Sequence, residues 1–161
     1  MLAPLLPFVG NNVYLLALVP ILLAIVAGWI FNNIIITSLK KLASKTSLVF
    51  DDHLFSLLQT PLFNSILLIG LSASLMILPV PATSLGIAFS VIQSLAIATW
   101  VLFLLKSNRI LLTAIARNEK RVKAVHNQTL PLFLNLINIF IVVMAVYLIF
   151  SAWNIDMTAW L

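Results

Sequence analysis

Charge is confined to a few short segments of this chain, and that distribution limits what the chain can fold into. Except for Asp156, every lysine, arginine, aspartate and glutamate falls within residues 40–52 or 106–123. The remaining stretches are apolar and leave room for about four membrane crossings of roughly 20 residues each. Hydrophobic residues make up 63% of the chain and charged residues 8%, whereas soluble domains carry about 25% charged residues. The sequence therefore predicts an all-α, polytopic membrane protein with four transmembrane helices.

Turn-forming residues divide the apolar stretches into individual spans. The predicted spans are residues 13–36, 62–78, 85–105 and 130–152. They are joined by a connection at 37–61, an uncharged turn at 79–84 and a basic connection at 106–129. A lead-in at 1–12 and a turn at 153–161 flank them. Pro79 and Pro81 favour the turn after the second span, and Pro131 suits the first turn of the fourth helix.

The basic residues predict how the spans are oriented. Of the nine lysines and arginines, three lie in the first connection and six in the second. Because cytoplasmic loops of membrane proteins are enriched in these residues, both connections are expected in the cytoplasm and both chain ends outside. The net charge of +5 is carried by bases beside membrane spans, so we expect no nucleic-acid partner.

The second connection has a basic face. Its bases fall within an arc of roughly 160° on a helix, which predicts an amphipathic continuation of the third helix. These residues are Lys106, Arg109, Arg117, Lys120, Arg121 and Lys123. One interpretation is that they only mark the cytoplasmic side. The other is contact with anionic lipid headgroups, which contributes about 1 kcal/mol per base near the surface.

Small residues indicate where helices approach each other. The third span carries them at every fourth position: Gly86, Ser90, Ser94 and Ala98. Gly70 and Ser74 form a shorter version in the second span. Stripes of this kind predict close helix packing in a membrane.

The spans offer little chemistry. No ionisable residue lies in the middle of a span, which disfavours a pump or a secondary transporter. Asn135 and Asn138 share one face of the fourth helix, where an interhelical hydrogen bond is favoured over a role in permeation. Asp51-Asp52-His53 is better explained by helix capping than by a metal or acid–base site. We therefore expect no catalytic residue, no metal, no cofactor and no enzymatic activity.

Three stretches resemble one protein family, the small-conductance mechanosensitive (MscS-like) channels. Residues 40–52, followed by Leu57-Leu58 and Pro61-Leu62, resemble the loop after an outer sensor helix. Residues 100–109, leading into a basic helix, resemble the linker before the helix that precedes the pore. Residues 153–161, WNIDMTAWL, resemble the "wgid-t-ll" turn that leads into the pore helix.

The resemblance covers most of the chain and implies a function. The family's Gly/Ala-rich pore helix and cytoplasmic β-rich domain are not in this sequence, so the chain would be the sensor region of a larger subunit. The resemblance implies a ring of seven subunits in a bacterial inner membrane that opens under membrane tension to release ions and small osmolytes. Membrane lipids, other copies of the subunit and permeating ions would be its partners.

Two other functions remain open at this point. The chain could be a complete four-helix accessory or assembly subunit of another membrane complex. It could also be a small membrane transferase, although Asp51-Asp52-His53 is a thin basis for catalysis.

Overall fold

A computed structural model of the chain describes residues 12–43, 52–117 and 130–156. They form four α-helices, which we number α1 (Val13–Ala43), α2 (Asp52–Ile77), α3 (Ala82–Arg117) and α4 (Leu130–Ala152). These described residues contain no β-strand. Each helix includes a stretch that is long and apolar enough to cross a membrane: Val13–Phe31, Ser56–Ile77, Ala82–Ile110 and Pro131–Ala152. The prediction of an all-α integral membrane protein with four spanning helices is confirmed.

Helix α3 is longer than a membrane crossing requires. It contains the predicted third span, 85–105, and continues through the start of the basic connection to Arg117. Helix α1 also continues past its predicted span, to Ala43. Both extensions carry lysine or arginine, so the helical backbone continues from the apolar span into a charged segment.

Local sequence explains how α1 begins and how α4 ends. The Asn12 side chain accepts a hydrogen bond from the Tyr14 N–H at 3.2 Å, which caps the first turn of α1. At the end of α4, the Ile155 N–H donates to the Phe150 carbonyl and the Asn154 N–H donates to the Ser151 carbonyl, each at 3.0 Å. This pair of bonds is a Schellman motif, which requires a left-handed residue at its turn.

The helices pack in chain order. Helix α1 contacts α2 most extensively, α3 packs on α2, and α4 packs on α3. Within the described residues, no contact of similar extent joins α1 to α3 or α4, or α2 to α4. The four helices therefore form an open series, in which each helix packs on the next, rather than a closed bundle.

The α1–α2 pair is held by close backbone approach. A Cβ added at Gly70 would lie 2.2 Å from the Ala24 Cβ and 2.9 Å from the Pro20 carbonyl oxygen. Ser74 on α2 donates a hydrogen bond to the Ala17 carbonyl on α1 at 2.5 Å. Ala17, Ala24 and Ser74 are all buried. The small residues of α2 thus allow α1 to pack at a distance that a larger side chain would prevent.

Two tryptophans join neighbouring helices through serine hydroxyls. The Trp100 indole N–H on α3 donates to Ser65 on α2 at 3.1 Å. The Trp153 indole N–H donates to Ser94 on α3 at 3.0 Å. Each serine in turn donates to the carbonyl four residues earlier in its own helix. These bonds fix the register of α2 on α3 and of α3 on the end of α4.

Two hydrogen bonds between α3 and α4 mark two positions along the helix axes. At the first position, Ser90 on α3 donates to the carbonyl of Ala152, the last residue of α4, at 2.8 Å. At the other, Asn108 on α3 bonds to Asn138 on α4. Asn108 follows Ser90 by 18 residues, or roughly 27 Å of helix. That separation is close to the thickness of a hydrocarbon core, about 30 Å.

Apolar side chains of α4 are largely uncovered by the rest of the described chain. Only 6% of its apolar span is buried, against 17% in α1 and in α2. Large side chains such as Leu132, Phe140 and Val143 are each more than half exposed. In a membrane protein such surfaces face lipid or another helix.

Candidate functional site

A cleft opens between α3 and α4 at the level of the Asn108–Asn138 bond. Its volume is about 410 Å³. The lining residues are Leu105, Lys106, Arg109, Leu134, Asn135 and Asn138. The cleft therefore combines two cationic side chains from α3 with two amides from α4, beside leucines from both helices.

An amide pair joins the two walls of this cleft. The Asn108 Nδ2 donates to the Asn138 Oδ1 at 2.9 Å, and both residues are half-buried. Because Asn138 uses its carbonyl oxygen in this bond, its own NH₂ group points elsewhere and keeps its donor capacity. Asn135, one turn earlier on α4, is exposed.

The cleft lies about one hydrocarbon thickness along α3 from the Ser90–Ala152 bond. Asn108, beside Lys106 and Arg109, is roughly 27 Å along α3 from the level of Ser90 and Ala152. If that level lies near one edge of the hydrocarbon core, Lys106 and Arg109 lie near the opposite edge, since the core is about 30 Å thick. Both bases are exposed, and no aspartate or glutamate of the described residues lines the cleft.

The other predicted headgroup contacts fall beyond this region. Arg117 is the last residue of α3. Lys120, Arg121 and Lys123 lie outside the described residues. Lys106 and Arg109 are therefore the two predicted bases that the structure brings together with residues of another helix.

The predicted small-residue stripe of α3 has two different environments. Ser90 is buried and Ser94 half-buried, and both make hydrogen bonds at the end of α4. Gly86 has no atom within 4 Å of an added Cβ, and Ala98 is exposed. In the second span, Gly70 and Ser74 pack directly on α1. Asn138 bonds to α3, whereas Asn135 faces the cleft.

Sequence reasoning missed the partners of these residues. Asn108 lies in sequence between the two bases of the cleft. It was not predicted as a site residue, because that part of the chain was interpreted by its charges alone. Ser65 and Trp100 were not identified as a pair, although a serine and a tryptophan in adjacent apolar spans each need a hydrogen-bond partner away from water. A comparison of the uncharged polar residues in adjacent spans would have indicated these hydrogen-bonded pairs.

The fold defines a membrane-integral protein with four candidate spanning helices, and its described residues form a cleft between α3 and α4. Comparisons with protein-family models, with curated proteins and with solved structures gave no match.

Proposed function

We propose that this chain is the tension-sensing transmembrane region of a small-conductance mechanosensitive channel subunit. Such a channel opens under membrane stretch and releases ions and small osmolytes. The observation that carries the proposal is the backbone of the turn after α4, where the chain resembles the family's "wgid" motif.

Asn154 takes the position that glycine has in that motif. Its φ is 54°, and it is the one non-glycine residue with positive φ in the described part of the chain. Glycine and asparagine are the two residues most suited to the left-handed position of a Schellman motif. The positive φ of Asn154 is one that glycine adopts readily, which supports the resemblance at Trp153–Asp156.

The open packing of the helices also supports a tension sensor. Because each helix of the described chain packs mainly on its sequence neighbours, the helices present a large apolar surface to the bilayer. A tension-driven change between two states needs a bilayer interaction that differs between them. We propose that the α1–α2 pair forms a lipid-facing paddle and that α4 lies nearest the pore.

The rest of the proposal follows the family arrangement. Both basic connections face the cytoplasm, as the distribution of lysine and arginine predicts. Seven subunits form a ring in the cell membrane.

Pressure-clamp recording tests this function. The complete native polypeptide that contains these residues is reconstituted into liposomes, and suction is applied to excised patches. We expect a current that is absent at rest and rises with tension. Replacing Asn154 with glycine should preserve the response, whereas Asn154→Val should impair it because a β-branched residue disfavours positive φ.

Two outcomes would contradict the proposal. Patches that contain correctly inserted protein but stay silent up to rupture would remove the channel function and favour the four-helix accessory subunit. A native chain with an intact mass near 17.8 kDa would have no room for a pore helix and a cytoplasmic domain.

A further inference from the structure

We infer that a buried water molecule lies between α2 and α3, where it joins the side-chain hydroxyl of Ser107 to the backbone carbonyl of Leu57. Neither residue lines the cleft between α3 and α4. The inference goes beyond the proposed channel function and does not rest on it, because a bound water can be detected without any current.

The Ser107 hydroxyl is the first of the two groups that would hold this water. Ser107 is only 6% exposed, and its Oγ has no hydrogen-bond partner among the described residues. Ser65, Ser72 and Ser94 instead donate to the carbonyl four residues earlier in their own helices. A buried hydroxyl without a partner is costly, and buried waters typically bond to such groups.

The Leu57 carbonyl is the second group, because Pro61 deprives it of its usual partner. Pro61 lies inside α2 and is fully buried. Since proline has no N–H, it cannot donate to the carbonyl four residues earlier, and its ring pushes against that carbonyl. In membrane helices, serine side chains of a neighbouring helix or ordered waters satisfy a carbonyl that proline frees in this way.

The register of α3 on α2 brings the two groups to the same level. The Trp100 indole N–H on α3 donates to Ser65 on α2 at 3.1 Å. Ser107 follows Trp100 by seven residues, which is about two turns with a rotation of only about 20°, so both lie on one face of α3. Because α2 runs antiparallel to α3, the matching position on α2 is seven residues before Ser65, at Leu58. The Leu57 carbonyl points from the preceding residue towards this level.

Pro61 also lies on the side of α2 that faces α3. It precedes Ser65 by one turn, and the Ser65 hydroxyl donates to the Pro61 carbonyl at 2.7 Å while it accepts from Trp100. The buried proline ring is therefore at the contact between the two helices. The carbonyl that it frees opens towards the face of α3 that carries Ser107.

A bridging water fits these two groups better than a direct bond. The Ser107 hydroxyl makes no hydrogen bond to the Leu57 carbonyl, and one water can join two polar groups that do not meet directly. Ser107 adjoins Asn108, which lies about one hydrocarbon thickness along α3 from Ser90. The site is therefore near an edge of the hydrocarbon core, where water can reach it.

Water-edited solid-state NMR of the isotope-labelled full-length protein in lipid bilayers tests the site. Magnetisation is transferred from water protons, and its build-up is measured at individual side chains. We expect the Ser107 Cβ signal to build up several-fold faster than that of Ser74. Ser74 is the matched control, because it is also buried but bonds directly to the Ala17 carbonyl. Equally slow build-up at the two serines would overturn the inference.

The role of the Leu57 carbonyl is tested by making Ser107→Ala in two backgrounds. In the wild-type protein this substitution removes one partner of the water, so the midpoint of chemical unfolding in detergent should fall. Pro61→Ala restores an N–H that can donate to the carbonyl, so in that background Ser107→Ala should lower the midpoint less. The comparison cancels the separate cost of replacing proline. Ser72→Ala, which removes a bond within α2, should have the same effect in both backgrounds.

Two further results would contradict the bridge. An equal effect of Ser107→Ala in both backgrounds would mean that the Leu57 carbonyl is not held through Ser107. Coupling between the two substitutions, together with slow build-up at Ser107, would mean that the hydroxyl bonds to the carbonyl directly. The NMR comparison of Ser107 with Ser74 uses the wild-type protein, so it remains decisive if Pro61→Ala fails to fold.

Discussion

The α1–α2 pair and the α3–α4 pair are both antiparallel, but they are held together in different ways. Between α1 and α2, small residues allow the backbones to approach so closely that Gly70 has no room for a Cβ. Between α3 and α4, hydrogen bonds join the helices near two levels, Ser90–Ala152 and Asn108–Asn138. Clefts of about 330 and 410 Å³ lie along this second interface.

The difference indicates which pair can change its separation. If two helices that pack closely through small side chains move apart, they lose van der Waals contacts along the whole interface. A pair joined by a few polar bonds can admit a lipid or another helix between those bonds. We therefore expect α1 and α2 to move as one unit, and α3 and α4 to be the pair that responds to its surroundings.

The largest effect is expected at Gly70. Gly70→Ala places a Cβ 2.2 Å from the Ala24 Cβ, so the two helices must separate at a cost of about 1–3 kcal/mol. Thermal unfolding of the protein in detergent measures the loss. Gly86→Ala is the matched control, because its Cβ has no neighbour within 4 Å. It should leave stability unchanged or raise it by up to about 1 kcal/mol. Equal effects of the two substitutions would contradict the close packing of α1 on α2.

A smaller effect is expected at Ser90. Ser90→Ala removes the hydroxyl that bonds to the Ala152 carbonyl, and polar contacts between membrane helices contribute about 0.6 kcal/mol on average and up to about 1.7. Ser72→Ala is the control, since Ser72 bonds to the Leu68 carbonyl of its own helix. Chemical unfolding of both variants should show a loss for Ser90 and almost none for Ser72. A larger loss of stability in Ser72→Ala than in Ser90→Ala would mean that Ser90 does not stabilise the α3–α4 contact.

The smallest effect is the coupling between Asn108 and Asn138. A double-mutant cycle with Asn108→Leu and Asn138→Leu isolates their hydrogen bond from the other consequences of each substitution. We expect a coupling free energy of about 0.6 kcal/mol, the average for such bonds in a membrane. Additive effects, with no coupling, would mean that the two amides do not meet in the bilayer.

The number and position of the helices could be predicted from sequence, whereas their contacts could not. The four spans are long, apolar and free of charge, so hydropathy alone identifies them. The register of α3 on its neighbours depends on pairs such as Trp100 with Ser65. These pairs are distant in sequence, and no periodicity connects them.

The stripe on α3 contacts α4 over its central part only. Residues four apart on a helix are rotated by about 40°, so a stripe from Gly86 to Ala98 turns away from a straight neighbour. Helix α4 also ends at Ala152, level with Ser90, and Gly86 lies one turn beyond that end. The stripe therefore meets α4 at Ser90 and Ser94, while its two ends are left outside the contact.

Four residues of the cleft belong to the sites predicted from sequence, but no cleft was predicted. The bases at Lys106 and Arg109 could be assigned to a membrane edge because they follow a long uncharged span. Their convergence with Asn135 and Asn138 depends on the rotation of α4 about its axis. Asn108 fixes that rotation through its bond to Asn138. The shared face of Asn135 and Asn138 predicted an interhelical hydrogen bond, but not its partner.

The open series of helices is tested most directly by distances between spin labels in a lipid bilayer. The chain has no cysteine, so Tyr14→Cys with Ser151→Cys labels α1 and α4 at the same end, and Tyr14→Cys with Met76→Cys labels the packed α1–α2 pair. All three positions are exposed, and dilution with unlabelled protein removes distances between copies. We expect the α1–α4 distance by pulsed electron paramagnetic resonance to exceed the α1–α2 distance clearly, by more than one interhelical spacing of about 8–10 Å. Equal short distances for both pairs would mean that α1 packs against α4, and the closed bundle would replace the open series.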